Sequence, residues 1–180
     1  MAAIKNFKAN NASNNDISYI SNVLEMKVLL SLSEIGMNTT KENLRSMISN
    51  YIEGKCIEGG YVQPGTIKIL SFSSGTLKKE KVEFTVVFEC KTFNPAEGCW
   101  IYQCKVKSVT KAGIHANVYD SQDNVPATVF IIRDHFMNNR DFNSVKENDF
   151  VDIKVIGTRF ELNDPSVEIL GKLVPRPVRK

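Results

Sequence analysis

Apolar residues recur at every second position from Val82 to Cys90, with Glu83, Thr85 and Glu89 among the residues between them. That alternation predicts a half-buried strand over Val82 to Lys91. The aliphatic run from Ile20 to Ser33 predicts the first strand of the same sheet. Between the two the period changes. Leu44, Met47, Ile48, Tyr51 and Ile52 return at helical spacing, Thr39 with Glu42 has the form of a capping box, and Gly54 is placed to stop the helix. After it come the Gly59-Gly60 pair, a strand across YVQPGTIKILSFS, and a solvated hairpin loop built on Ser74, Gly75, Thr76 and the lysines Lys78, Lys79 and Lys81. A helix with one apolar stripe needs a surface to cover, so this half is predicted to be one helix on an antiparallel sheet.

Asn94-Pro95 breaks the pattern and Gly98 relaxes the backbone, so a new unit begins near Gly98. Trp100, Tyr102, Cys104 and Val106 then alternate with Ile101, Gln103, Lys105 and Lys107, which puts Trp100 and Tyr102 on the apolar phase. Short strands are predicted at Glu97 to Val109, Ile114 to Tyr119, Ala127 to Ile132, Phe150 to Gly157 and Val167 to Leu173, with Gly157 able to form a bulge. Phe136 and Phe142 anchor the polar stretch between the third and fourth. Five such strands suit an OB barrel. The fold class is therefore α+β, an amino-terminal helix on an antiparallel sheet followed by an all-β OB barrel. The divisions fall at 1–18, an asparagine-rich arm without packed elements, 19–93, 94–174, and a basic tail at 175–180.

Three segments occur in one order: Gly54-Lys55-Cys56 followed by a glycine and Tyr61-Val62, then Phe93-Asn94-Pro95-Ala96-Glu97-Gly98, then VIGTRFELNDPSVEILGKL. In that order the chain, over roughly Val23 to Leu173, resembles the stalk subunit of multisubunit RNA polymerases, the seventh subunit of the eukaryotic nuclear enzyme and its archaeal counterpart. The resemblance implies a tip domain that docks on the polymerase core near its clamp, through Lys55, Gly60, Tyr61 and Val62. It also implies an S1-like barrel that binds emerging single-stranded RNA, and a fourth-subunit-like partner packed alongside. Such a subunit is not itself a catalyst and needs no cofactor. The arm before the first strand departs from the family, whose members begin close to that strand.

A net charge of +3 and a pI near 8.6 are too weakly basic to argue for a polyanion partner, so the placement of charge must do so. Lys105, Lys107, Lys111 and His115 fall on or beside the first barrel hairpin, Arg133 and His135 follow the third strand, and Arg159 follows the fourth. Barrels of this class bind single strands by joining a basic groove to aromatic platforms, although each cation taken singly also reads as a solvated surface charge. Cys56, Cys90, Cys99 and Cys104 lack zinc spacing and read as buried thiols in a reducing compartment. Glu161, Asn163 and Asp164 read as a turn rather than a metal site. Two histidines without a nucleophile context, and no phosphate-cradling loop, argue against an enzyme. No apolar run approaches the ~20 residues of a membrane span.

Asparagine supplies 17 of 180 residues, which with the many lysines and isoleucines points to an AT-rich genome. A large eukaryotic DNA virus is the favoured source, with an AT-rich protist as the alternative. The corresponding locations are inside the cell, in the nucleus, or in a cytoplasmic viral factory and the virion. A free-standing S1-like RNA-binding module is the competing functional class. An apolar exposed patch around Tyr61 would favour the stalk, and a first domain charged all over would favour the module.

Overall fold

The computed structural model describes residues 17–37, 39–133, 142 and 144–174. In chain order its elements are β1 (Ile20–Ser31), α1 (Thr40–Ile52), β2 (Cys56–Ile57), β3 (Gly60–Val62), β4 (Lys68–Phe72), β5 (Thr76–Lys78) and β6 (Lys81–Phe93). The second half contributes β7 (Trp100–Val109), β8 (Gly113–Val118), β9 (Ala127–Ile132), β10 (Phe150–Arg159) and β11 (Val167–Val174).

β1 and β6 pair antiparallel along their length, Ile20 opposite Thr92 and Ser31 opposite Lys81. The other edge of β6 is tiled by β5, β4 and β3 in turn, and β2 lies beyond β3. The inward phase of β6, Val82, Phe84, Val86, Phe88 and Cys90, is buried throughout, as its alternation requires. α1 lies against this face through Leu44, Ile48 and Ile52, all at most 3% exposed. Each such burial is worth about 1.5–3 kcal/mol. The apolar stripe is narrower than the sequence predicts, because Met47 and Tyr51 sit on the solvent side at 44% and 61% exposure. Gly54 ends the helix at φ +71, the left-handed conformation a non-glycine residue avoids.

Two local expectations are corrected. Thr39 caps α1 without a side-chain hydrogen bond. Thr40 instead ties the turn before it, its Oγ1 donating to the Gly36 carbonyl at 2.8 Å. The strand predicted across YVQPGTIKILSFS divides into β3 and β4, because Pro64-Gly65 turns the chain with Gly65 at φ +75. The lysine-rich connection also carries a strand, β5, joined to β6 by a tight turn with Lys79 at φ +56.

The second half closes into a five-stranded barrel in the order β10, β11, β9, β8, β7 and back to β10. All contacts are antiparallel except β9 with β11, where Ala127 faces Val167. The architecture is therefore mixed helix and sheet, mostly β, with an OB-like barrel. Its interior holds Ile101, Cys104, Val106, Ile114, Ala116, Val129, Ile131, Val151, Ile153 and Ile169. Phe142 fills this core at 2% exposure, as the anchor reading expects, while Phe136 lies outside the described residues. The bulge expected near Gly157 is present, as a register shift between Val155 and Gly157 against β11.

The two halves meet through a continuous core. Cys56, Tyr61 and Phe93 pack in the same cluster as the barrel interior, with Ile17 and Tyr19 against it. The arm expected to reach residue 18 thus has one packed residue, Ile17, at its end, and 1–16 lie outside the described residues. The Cys56 amide donates to the Asp164 carbonyl at 2.8 Å, and the Asn163 amide donates to the Cys56 carbonyl at 2.9 Å. Tyr19 donates its hydroxyl to Asp120 at 3.0 Å and meets the Phe93 ring edge-on at 5.9 Å. Burial opposes the charged form of Asp120. The hydrogen bonds it accepts from the Asn124 side chain, the Gln122 and Asn124 amides and Tyr19 outweigh that and hold its carboxyl below the usual range.

Candidate nucleic-acid interface

A bulge in β7 decides what the barrel presents to solvent. Opposite β10, Cys104 faces Val151 and Ile101 faces Ile153, so three steps on β7 match two on β10. The extra residue is accommodated at Gln103, which adopts φ +58 and donates its amide to Asp152 Oδ1 at 2.9 Å. The side-chain phase reverses across it. Ile101 and Cys104 both point inward, and Trp100 and Tyr102 both point out, at 51% and 59% exposure. The expectation that these two rings belong to the core is corrected by that single inserted residue.

Trp100 and Tyr102 stand nearly parallel, 6.4 Å between centroids at 19°. Together with Phe150, Tyr119 and Lys105 they line an open groove of about 1020 Å³. Phe150 is 49% exposed and directly opposite Lys105 across the β10–β7 pair. Lys105 is in turn opposite Asn117 on β8, whose amide reaches toward the Tyr119 hydroxyl at 3.5 Å. Asp120 and Asp123 line the same groove, which sets an acidic limit on one side. Four aromatic rings with a lysine among them, on the barrel side of a groove whose other lining includes Ile17, Ile20, Phe93 and Pro95, can stack bases and hold the phosphates between them.

The neighbouring face continues this surface across β8 and β9. His115 and Phe130 are paired across the strands and stack at 4.7 Å and 6°. Lys107 sits at a second irregularity of β7, where the register against β8 shifts between Val106 and Ser108. The His115 imidazole is held below the ordinary histidine range, first by partial burial and then by the Lys107 ammonium. An NMR titration of His115 should therefore give a midpoint below about 6.5. The stability contributed by the neutral ring should be present above that pH and fall away as the pH drops through the folded-state value. A midpoint at or above the free imidazole value would show that neither burial nor Lys107 acts on it.

The expected RNA-binding cations are only partly gathered. Lys105, Lys107 and His115 share the β7–β8 wall, and Lys111 is exposed at the tip of the hairpin joining those strands. Among the described residues, Lys105, Lys107 and Lys111 form no ion pair, so a phosphate would not have to displace a carboxylate. Arg133 has a different occupation. Its Nη2 donates to the Thr110 carbonyl at 3.2 Å and its guanidinium lies 4.9 Å from the centre of the Phe142 ring, fastening the hairpin to the barrel. Arg159 is at the far end of β10 from Phe150, in an exposed ion pair with Glu161 at 3.2 Å. His135 lies outside the described residues.

Gly60, Tyr61 and Val62, expected to dock on the polymerase core, are all internal. Tyr61 is 4% exposed and Val62 0%, and a Cβ at Gly60 would run into the Phe93 carbonyl. Lys55 is half-buried, with its ammonium turned back onto the Tyr51 carbonyl at 3.2 Å. Glu161 to Asp164 form the turn that the sequence predicts, the Asp164 amide donating to the Glu161 carbonyl and Asn163 at φ +71. Cys56, Cys90 and Cys104 are buried, whereas Cys99 is exposed, a departure from the expectation for all four. Burial pushes the thiols of Cys56 and Cys104 up to about 12 and that of Cys90 up to about 11, so these three are poor nucleophiles.

Neither the known protein families nor the curated proteins contain a match to this chain. The RNA-binding reading therefore rests on the surface itself. Sequence reasoning passed over Phe150, Tyr119 and Phe130 as well as misplacing Trp100 and Tyr102. Strand alternation carries a signal for two of them: Phe150 is out of phase with Val151, Ile153 and Val155, and Phe130 with Val129 and Ile131.

Proposed function

We propose that the protein binds single-stranded RNA along the outer wall of its barrel and serves as the non-catalytic stalk subunit of a DNA-dependent RNA polymerase. The observation that carries the reading is the groove of Trp100, Tyr102, Phe150 and Tyr119 beside Lys105, with Lys107 and Lys111 continuing the positive edge. The stacking surface suits any base, so binding is weakly dependent on sequence and strongly dependent on salt. The stalk role draws on the family resemblance, with which the order of a helix-on-sheet unit followed by an OB-like barrel agrees. In this reading the first unit is the tip domain and the barrel is S1-like.

With Tyr61 internal, docking on the core subunits falls to the end of the tip sheet farthest from the barrel. Leu32 and Ile35 follow β1 there, and Leu77 faces Val82 on β6, at 62%, 36% and 66% exposure. Burial of Tyr61 removes the patch expected to mark a stalk, and this favours the second reading, a free-standing RNA-binding module. Affinity purification of the tagged protein from its native source at moderate salt separates the two. Recovery of the two large polymerase subunits in stoichiometric amount supports the stalk, and RNA or ribosomal components without them support the module.

The RNA surface has its own test. Reversing Lys105, Lys107 and Lys111 to glutamate should weaken binding to a single-stranded RNA and flatten the slope of log affinity against log salt by about 2, from the ~0.7 counterions released per phosphate contact. An unchanged slope would remove this wall from consideration.

A further inference from the structure

We propose that two copies of this chain pair edge to edge through β1, antiparallel, about a two-fold axis at Met26. Such pairing is independent of RNA binding. β1 presents one edge to β6 over 12 residues, and among the described residues no backbone hydrogen bond reaches its other edge. That is an exception in this fold. The barrel is closed, and the strands tiling the far side of β6 are five residues or fewer, the usual ways in which open edges are limited.

The open edge is complementary to itself. Val23, Glu25, Lys27 and Leu29 lie on the outward sheet face, and Leu24, Met26 and Val28 on the face toward the helix. Antiparallel pairing centred on Met26 sets Glu25 against Lys27 of the second copy, and Lys27 against its Glu25. It sets Val23, 61% exposed, against Leu29 of the second copy, 44% exposed, and the reciprocal pair as well. Each contact therefore occurs twice, as an isologous interface requires. Other registers are disfavoured by the same residues. A slip of two in one direction puts Glu25 opposite its own copy, and in the other direction puts Lys27 opposite its own copy. A slip of one would bring the copy in with its helix on the opposite sheet face. Neither Glu25 nor Lys27 has an ion-pair partner among the described residues, so the pairing displaces no internal one.

Sedimentation equilibrium of the full chain across the micromolar range tests this. The wild type should show a concentration-dependent dimer, and Glu25→Lys alone or Lys27→Glu alone should raise its dissociation constant about tenfold or more, by replacing two attractive cross-strand pairs with two repulsive ones. Mixing the two single variants, or combining both changes in one chain, puts opposite charges back into each pair and should restore the dimer. Melting temperatures close to wild type verify that the variants are folded. A wild type that stays monomeric, a dimer indifferent to the single reversals, or a mixture that fails to recover would each overturn the proposal.

Discussion

Replacing Trp100 by alanine is expected to lower the affinity for single-stranded RNA by about five- to 150-fold, the range given by the loss of one base-stacking platform at ~1–3 kcal/mol. Phe150→Ala should act similarly, because that ring lines the same groove on the adjacent strand. Folding should be little affected. Trp100 is 51% exposed and rests on the outside of the barrel, so its removal opens no cavity. The salt dependence distinguishes this loss from loss of charge: an aromatic deletion lowers affinity equally at all ionic strengths, whereas lysine reversal changes the slope. Fluorescence anisotropy with a labelled oligonucleotide at several salt concentrations would measure both. If Trp100→Ala and Phe150→Ala bind as wild type while Phe130→Ala does not, the RNA lies on the β8–β9 face beside His115, and the groove assignment fails.

The second large effect is structural. Tyr61→Ala is expected to destabilise the protein by about 3–5 kcal/mol, the usual cost of truncating a buried aromatic side chain. In a chain of this length that corresponds to a fall in melting temperature of roughly 6–20 °C. Tyr61 sits where the first sheet meets the barrel, opposite Phe93 on one side and Cys56 on the other. Its loss therefore loosens the joint between the two halves as well as the core. Tyr61→Phe keeps the ring and should remain within about 1 kcal/mol of wild type. A residue that docked a partner through an exposed side chain would behave oppositely, leaving stability unchanged and abolishing association. Chemical denaturation of Tyr61→Ala gives the answer directly, and a midpoint equal to wild type would restore the docking role.

Both expectations turn on residues whose identity is conspicuous in the sequence but whose direction is not. The alternation of Val82 to Cys90 and of Val151 to Val155 was legible because period two records which face is buried along a regular strand. Gly54 as helix stop, Asn94-Pro95 as the end of β6 and Gly157 as a bulge were legible because they express local backbone chemistry. At Trp100 the same reasoning misled. The apolar run is compatible with either phase, and the phase is set by a left-handed Gln103 whose amide is held by Asp152, 49 residues later. Met47 and Tyr51 fit the helical period yet remain exposed, because the sheet beneath α1 accommodates only the row Leu44, Ile48 and Ile52.

Residues close together along the chain were enough to specify the helix, the two long strands of the first sheet, the five barrel strands and the internal thiols at Cys90 and Cys104. Three-dimensional assembly was needed to bring Trp100, Tyr102 and Phe150 into one groove, to bury Tyr61 where the first sheet meets the barrel, and to engage Arg133 with Thr110 and Phe142 and Arg159 with Glu161. Those outcomes depend on strand register, barrel closure and the packing of one half on the other, where a shift of one residue turns a side chain from the core to the solvent.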